Sequence, residues 1–185
     1  GLLFILREQQ GSKFVQHEIV YKNGIKDYVN ETVGEEKLSS VQFWQTERKG
    51  KDREDKSEYK VKINAALCFS NKHMLKEYYH NSSWLEYGGV PEKATRSAFV
   101  SQIDAYIKQV GKYKSNESKI TFSDVEECLV LVISSFSTVT SYENQTKKAI
   151  TNKFIYDAMV DFLRHQLEVY FIENKADAEK ISNQV

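Results

Sequence analysis

The sequence predicts an α+β domain with one mostly antiparallel sheet, helices on one face of that sheet, and a long C-terminal helix. Three observations lead to this fold class. Residues 59–69 alternate between apolar and polar side chains, which indicates a strand with one buried face. Residues 91–110 begin with Pro91, a residue favoured in a first helical turn, and then place apolar side chains at helical spacing. Strand-like and helical segments follow one another as ββαβββαβα, an order typical of α+β domains.

The first third of the chain contains a hairpin, a short helix and a third strand. Residues 2–8 and 14–21 are strand-like runs joined by the turn sequence QQGS. Residues 23–33 predict a short helix with one apolar side. Residues 40–48 have a β-rich composition, and the charged run 49–58 predicts a solvated loop tip.

Four further segments complete the predicted architecture. We expect residues 74–81 to form a hairpin with strand 59–69, and the helix 91–110 to follow. Residues 128–136 form an apolar run that predicts a strand covered on both faces. Residues 149–173 predict the longest helix. Because its apolar positions occupy more than one side, it should pack against the sheet and against something else.

Composition narrows the classes of protein to which the chain can belong. The 26 basic and 26 acidic residues give zero net charge, so any attraction for nucleic acid must come from a local patch. The longest apolar run is far shorter than the roughly 20 residues that span a bilayer, so we expect no membrane partner. Cys68 and Cys128 both lie in apolar strings, which indicates buried structural thiols and a reducing, cytoplasmic location.

The sequence contains no motif of a complete enzyme. It has neither a CxxC pair nor HExxH, and its histidines (His17, His73, His80 and His165) lack ligand spacing, so no metal site is predicted. It has no GxSxG motif for a nucleophile. Neither GxxxxGK[ST] nor GxGxxG is present, so the chain has no phosphate-binding loop of its own. We therefore predict no catalytic residue in this chain.

Two adjacent lysines, Lys147 and Lys148, lie where the sequence predicts that a loop turns into the long helix. The N-terminus of a helix carries a partial positive charge, so each cation there is unfavourable by about 0.3–1 kcal/mol. A bound anion would relieve this conflict. The alternative is a pair of lysines that simply face water.

Five stretches of the sequence carry a resemblance to a known family. They are YKNGIKDYV (21–29), YGGVPEKATR (87–96), DVEECLVLVIS (124–134), QTK (145–147) and IENKADAEKI (172–181). Each is similar to a motif in the transducer domain of the ATPase (B) subunit of type II DNA topoisomerases, the DNA gyrase B and topoisomerase IV B family. The five occur in the family's order and cover almost the whole chain.

This resemblance implies a ribosomal-protein-S5-domain-2-like transducer fold over residues 1–173. Residues 174–185 would then begin a connector toward the DNA-cleavage core of a longer protein. By resemblance, Gln145 and Lys147 contact the terminal phosphate of ATP, which is bound with Mg²⁺ mainly by a preceding domain. A lysine is a compact cation on a long stem and suits such a contact.

By the same resemblance, Arg96 lines a cavity that receives duplex DNA and contacts its phosphates without reading sequence. The alternative is that the first turn of its helix emerges from the core with the guanidinium in water. The sequence departs from the family pattern near this position. Val90-Pro91 replaces the family's Thr-His, and Glu126 and Cys128 replace the Arg and Gly of DVREG. Gyrase, topoisomerase IV and a more distant relative therefore remain alternatives.

For the parent protein, the resemblance implies an ATP-hydrolysing DNA topoisomerase, an isomerase. It would work as a homodimer on duplex DNA with a topoisomerase A-type subunit. Three alternatives have related folds: a MutL-like ATPase transducer, a small-molecule kinase, and a non-enzymatic RNA- or DNA-binding module. The kinase would need a glycine-rich phosphate loop, which the sequence lacks. Zero net charge is an argument against the nucleic-acid-binding module.

Overall fold

The computed structural model describes residues 3–116 and 118–185, so Gly1 and Leu2, with which the predicted first strand begins, lie outside it. Its strands are β1 (Leu3–Gln10), β2 (Lys13–Val20), β3 (Gln42–Gly50), β4 (Tyr59–Phe69), β5 (Leu75–His80), β6 (Ser83–Trp84) and β7 (Leu129–Ser137). Its helices are α1 (Ile25–Val33), α2 (Val90–Gln109), α3 (Phe122–Glu126), α4 (Lys153–Glu173) and α5 (Lys175–Gln184). The predicted α+β fold class is confirmed.

Strands β1 and β2 form a two-stranded sheet of their own, so the prediction of one sheet is wrong. Their antiparallel register runs from Leu3 opposite Val20 to Gln10 opposite Lys13. Apolar side chains are exposed along both strands; they include Phe4, Leu6 and Phe14. Two-stranded hairpins gain little stability on their own, and this one leaves its apolar side chains exposed.

The remaining strands form a five-stranded sheet in the order β3-β4-β7-β5-β6. Strand β4 pairs antiparallel with β3 and with β7, and β7 pairs in parallel with β5. The prediction that residues 74–81 form a hairpin with strand 59–69 is therefore wrong. The apolar strand β7 takes the place beside β4, because a strand that is apolar on both sides is best buried in the centre of a sheet.

Both faces of the sheet are covered, so the prediction of helices on one face only is also wrong. Helices α2, α4 and α5 pack on one face around the main core, to which β7 contributes Leu129, Leu131 and Ile133. Helix α1 covers the other face, where its buried valines meet Val130 and Val132. The prediction that β7 is covered on both faces is confirmed.

The long helix begins later than predicted, at Lys153. After it, α5 packs Ala178 and Ile181 into the same core cluster as α4. Both cysteines are buried and free, as predicted. Of the helices in the described part of the chain, none is long and apolar enough to cross a membrane.

Candidate functional site

Residues 138–152, called the QTK loop below, connect β7 to α4 and carry the predicted phosphate-contacting residues. The loop folds back on itself. Tyr142 and Ile150 form an antiparallel bridge, and the Thr151 backbone N–H donates to the Ser141 carbonyl at 2.8 Å. At the tip, the Lys147 N–H donates to the Asn144 carbonyl at 3.3 Å and closes a turn.

The prediction that Lys147 and Lys148 lie at a helix start is therefore wrong. Helix α4 begins six residues after Lys147, and one arm of the QTK loop lies between Lys147 and the helix. The helix dipole falls off within its first turn, so it does not act on Lys147. The electrostatic conflict inferred from the sequence does not exist in the structure.

Lys147 and Gln145 both lie exposed at the tip of the QTK loop. Lys147 has a backbone φ of 58°, a left-handed conformation that costs a non-glycine residue about 1–2 kcal/mol. Its Nζ lies 5.7 Å from the centre of the Tyr142 ring. Across residues 3–116 and 118–185, no carboxylate lies within 4.0 Å of that ammonium group. The tip thus offers solvent an amide and a cation that no anion of the described chain neutralises.

Lys148 differs from its neighbour because it is held in place. Its ammonium forms an ion pair with Glu86 and lies 5.2 Å from the centre of the Tyr87 ring. The hydrogen bond to Glu86 raises the pKa of Lys148. The Tyr87 backbone N–H donates to the Lys148 carbonyl at 3.0 Å. Lys148 therefore fastens the QTK loop to the segment that precedes α2.

Gly89 makes the closest contact between the QTK loop and α2. Its φ is 68°, and an added Cβ would lie 2.5 Å from the Ile150 carbonyl oxygen and 2.7 Å from the Ile150 nitrogen. The neighbouring Val90 N–H donates to that same carbonyl at 3.0 Å. Only glycine allows two backbones to approach so closely here.

The other end of the QTK loop is bound to the start of α4 by Asn152, Asp52 and Tyr59, called the Asp52 cluster below. The Asn152 side-chain oxygen accepts from the Ser141 N–H at 2.7 Å, and its Nδ2 donates to Asp52 Oδ2 at 2.9 Å. Asp52 Oδ1 accepts from the Tyr59 hydroxyl and from the Phe154 N–H, both at 2.9 Å. Burial and the hydrogen bond to Asp52 raise the pKa of Tyr59.

Sequence reasoning missed this role of Asp52. The charged run 49–58 predicts a solvated loop tip, and nothing in the sequence distinguishes Asp52 from Asp55. In the structure, Asp55 is exposed and pairs with Arg53 at 3.1 Å, whereas Asp52 is half-buried against the start of α4. Asp52 differs from Asp55 because it contacts Asn152 and Phe154, which lie about a hundred residues further along the chain.

His80 contacts Thr140, near the start of the QTK loop, through its imidazole ring. It is fully buried, with Nδ1 2.8 Å from Ser135 Oγ and Nε2 2.9 Å from Thr140 Oγ1. Burial lowers the pKa of His80 to about 4. The ring is therefore neutral at pH 7 and links β5 and β7 to the loop.

Arg96 lies on the solvent side of α2, within two turns of its start. Its Nε and Nη2 donate to Glu92 Oε1 at 3.1 and 2.8 Å, and its guanidinium carbon lies 4.6 Å from the centre of the Phe122 ring. Lys76, paired with Glu126, lies 5.2 Å from the same ring centre. Two cations thus lie over Phe122 and each is paired with a carboxylate, so this patch is locally neutral.

The structure does not bring Arg96 together with Gln145 and Lys147. Among the residues that the structure describes, the QTK loop contacts α2 at Gly89 and Val90, while Arg96 lies further along that helix. Among residues 3–116 and 118–185, no group of three or more His, Cys, Asp or Glu side chains is arranged to hold a metal ion. Burial raises the pKa of the Cys68 and Cys128 thiols to about 11, so neither is a reactive nucleophile.

Comparison with known proteins gives consistent matches. The DNA gyrase B protein of Spiroplasma citri is 28% identical over 186 residues, which cover 97% of this chain and 27% of that protein. The DNA topoisomerase 4 B protein of Rickettsia conorii is 23% identical over 169 residues, which cover 90% of this chain and 24% of that protein. The chain thus spans about a quarter of the length of these relatives.

Two solved structures share the fold of this chain at 19% identity. The 43K ATPase domain of Thermus thermophilus gyrase B, in complex with an aminocoumarin, superposes with a TM-score of 0.70; the match covers 97% of this chain and 46% of that one. The ATP-binding domain of Francisella tularensis topoisomerase IV superposes with a TM-score of 0.71 over the same shares. A profile of the DNA gyrase B family matches residues 24–185. The chain therefore belongs to the DNA gyrase B family.

Proposed function

We propose that this chain is the transducer domain of an ATP-dependent type II DNA topoisomerase, and that it detects the terminal phosphate of ATP through Gln145 and Lys147. One observation carries the proposal. Lys147 lies exposed at the loop tip, without a carboxylate partner among the described residues and with a strained left-handed backbone, while Lys148 beside it is paired. Strained backbone conformations cluster at functional sites.

The chemistry of the loop tip fits a phosphate. An ammonium and a side-chain amide both donate hydrogen bonds to phosphate oxygens. ATP, with Mg²⁺, would be bound mainly by residues outside this chain and would supply the anion that the tip lacks. The contribution of this chain is to bring Gln145 and Lys147 to that anion and to hold them there.

The hairpin β1–β2 supports a preceding ATPase domain as the partner of this one. Its apolar side chains are exposed, and the family profile begins at Gly24, after the hairpin ends. Both solved relatives described above are named for ATPase or ATP binding, and this chain covers 46% of each. We propose that the preceding ATPase domain covers the hairpin and holds the nucleotide.

The connections of the QTK loop suggest how nucleotide state is relayed. One side of the loop is bound to the start of α2 and its end is bound to the start of α4. A movement of the tip would therefore act on both helices, which favours a rigid-body rotation of the domain. In the intact homodimer, this rotation would reach duplex DNA near Arg96. It would also reach an A-type subunit through residues 174–185, the proposed start of the connector after a transducer domain of residues 1–173. We propose a cytoplasmic location, where these partners would be available.

Replacing Lys147 with alanine in the full-length protein tests this proposal. Hydrogen bonds to charged groups contribute about 1.5–3 kcal/mol, and each 1.36 kcal/mol changes a rate tenfold, so ATP hydrolysis should fall at least about tenfold. The matched control is Lys153→Ala, which removes an exposed lysine paired with Asp157 at the start of α4. Unchanged ATP turnover by Lys147→Ala would refute the proposal.

A further inference from the structure

Helix α4 begins without a cap from its own sequence. Asn152 occupies the N-cap position, but its side chain makes no capping hydrogen bond. The first N–H groups of a helix have no intrahelical acceptor and need one from elsewhere. Asp52, from the loop between β3 and β4, accepts from the Phe154 N–H at 2.9 Å. A carboxylate at this end of a helix is also favoured by the helix dipole.

The same carboxylate determines how Asn152 is oriented. Asp52 can only accept hydrogen bonds, so the atom of Asn152 that faces it must be the donor Nδ2. The amide oxygen of Asn152 then faces the Ser141 N–H and accepts from it. Asn152 is 2% exposed, so water offers it few alternative partners.

We infer that Asp52 is a positioning residue, which holds the QTK loop in the geometry that brings Lys147 to a phosphate. The inference rests on the function proposed above. Ser141 lies at the base of the loop, four residues before Gln145, and the connection runs from Asp52 through Asn152 to the Ser141 backbone. Asp52 binds no nucleotide itself. It acts by joining the base of the loop to the start of α4.

Replacing Asp52 with asparagine in the full-length protein tests the inference with almost no change of shape. Turned one way, the new amide nitrogen meets the donor Asn152 Nδ2; turned the other way, it meets the Phe154 N–H. The connection to Ser141 should loosen, and with it the contact between Lys147 and the terminal phosphate. We expect affinity for a non-hydrolysable ATP analogue to fall about tenfold, while affinity for ADP, which lacks that phosphate, stays within twofold.

Two further variants complete the test. Asp55→Asn makes the same chemical change in the same loop at an exposed residue, and should alter neither affinity. The double variant Asp52→Asn with Asn152→Asp exchanges donor and acceptor. The new amide at position 52 can donate to the new carboxylate at position 152, which still accepts from Ser141. We expect this exchange to restore affinity for the analogue to within about twofold of wild type.

The results separate the inference from the proposed function. If Lys147→Ala leaves the preference for the analogue over ADP unchanged, the proposed function fails, and the inference fails with it. If Lys147→Ala removes that preference while Asp52→Asn retains it, only the inference is overturned. An equal loss of affinity for the analogue and ADP also overturns it, since a general structural defect would do the same. If Asp52→Asn does not fold, Asn152→Asp breaks the same connection from its other side, and retention of the preference there would overturn the inference.

Discussion

Replacing Gly89 with alanine would test whether direct backbone contact joins the QTK loop to α2. An added Cβ would meet the oxygen and nitrogen of Ile150 at 2.5 and 2.7 Å. Both are backbone atoms on the returning arm of the loop, so neither can rotate away as a side chain could. The methyl group must push the loop and the helix start apart.

The expected cost has two parts. Placing a non-glycine residue at φ 68° and ψ −137°, a region populated essentially by glycine, costs about 1–3 kcal/mol. Overpacking against atoms that cannot yield adds about 1–3 kcal/mol. We therefore expect Gly89→Ala to lower the free energy of unfolding by about 2–6 kcal/mol, partly through the lost hydrogen bond from Val90 to Ile150.

Gly111, at the other end of α2, provides a matched control. Its φ is also 68°, but nothing lies within 4 Å of an added Cβ. Gly111→Ala should therefore cost only the backbone part, about 1–2 kcal/mol. Urea unfolding of the 185-residue chain, extrapolated linearly to water, measures both variants. In the full-length protein, ATP hydrolysis should fall for Gly89→Ala and stay near wild type for Gly111→Ala.

Equal destabilisation by the two alanine substitutions would refute this reasoning, because it would show that the approach of Ile150 to Gly89 adds nothing. A larger loss for Gly89→Ala with normal ATP hydrolysis would refute the functional part alone. The contact would then be structural, and nucleotide state would have to reach α2 by another route.

Two further predictions concern His80 and Arg96. The pKa of the His80 ring is about 4 in the folded chain and 6.5 as a free side chain. Between pH 6.5 and pH 4, the ring therefore binds a proton in the unfolded state but not in the folded state. The free energy of unfolding should therefore fall by about 3 kcal/mol as pH drops from 6.5 to 4, at about 1.36 kcal/mol per pH unit. Urea unfolding measures this loss, and the His80→Gln variant should not show it. Arg96→Ala should reduce DNA-stimulated ATP hydrolysis and leave the basal rate nearly unchanged, whereas Arg96→Lys should keep most of the stimulation. The exposed ion pair with Glu92 contributes little to stability, and the contact with Phe122 contributes about 0.5–1 kcal/mol. A melting temperature lowered by many degrees in both variants would therefore indicate a structural role and contradict the DNA-contact role.

Much of the fold could be predicted from local patterns. The alternation in residues 59–69 indicated β4, and its first half does bury every second side chain. The continuous apolar run in β7 indicated burial on both faces, and both core clusters draw on it. Side-chain periodicity reports burial directly, because a strand or helix exposes each residue at a fixed angle to its neighbours. The ordered motifs also predicted the family, which the comparisons confirm.

The partners of these elements could not be predicted in the same way. Residues 74–81 were expected beside β4, but β7 lies there, because strand pairing depends on which apolar surfaces meet across the whole chain. The start of α4 was placed too early, because apolar residues 149 and 150 belong to a loop arm rather than to the helix.

The types of the main elements, the burial of the two cysteines and the family follow from sequence patterns alone. What surrounds the QTK residues depends on the tertiary structure. It left Lys147 without a carboxylate partner in the described part of the chain and Lys148 paired, capped α4 with Asp52, and placed Arg96 between Glu92 and Phe122. Local sequence encodes backbone preference and burial. Hydrogen bonds and ion pairs between distant segments form only where packing brings their atoms within about 3 Å, and no local pattern specifies that meeting.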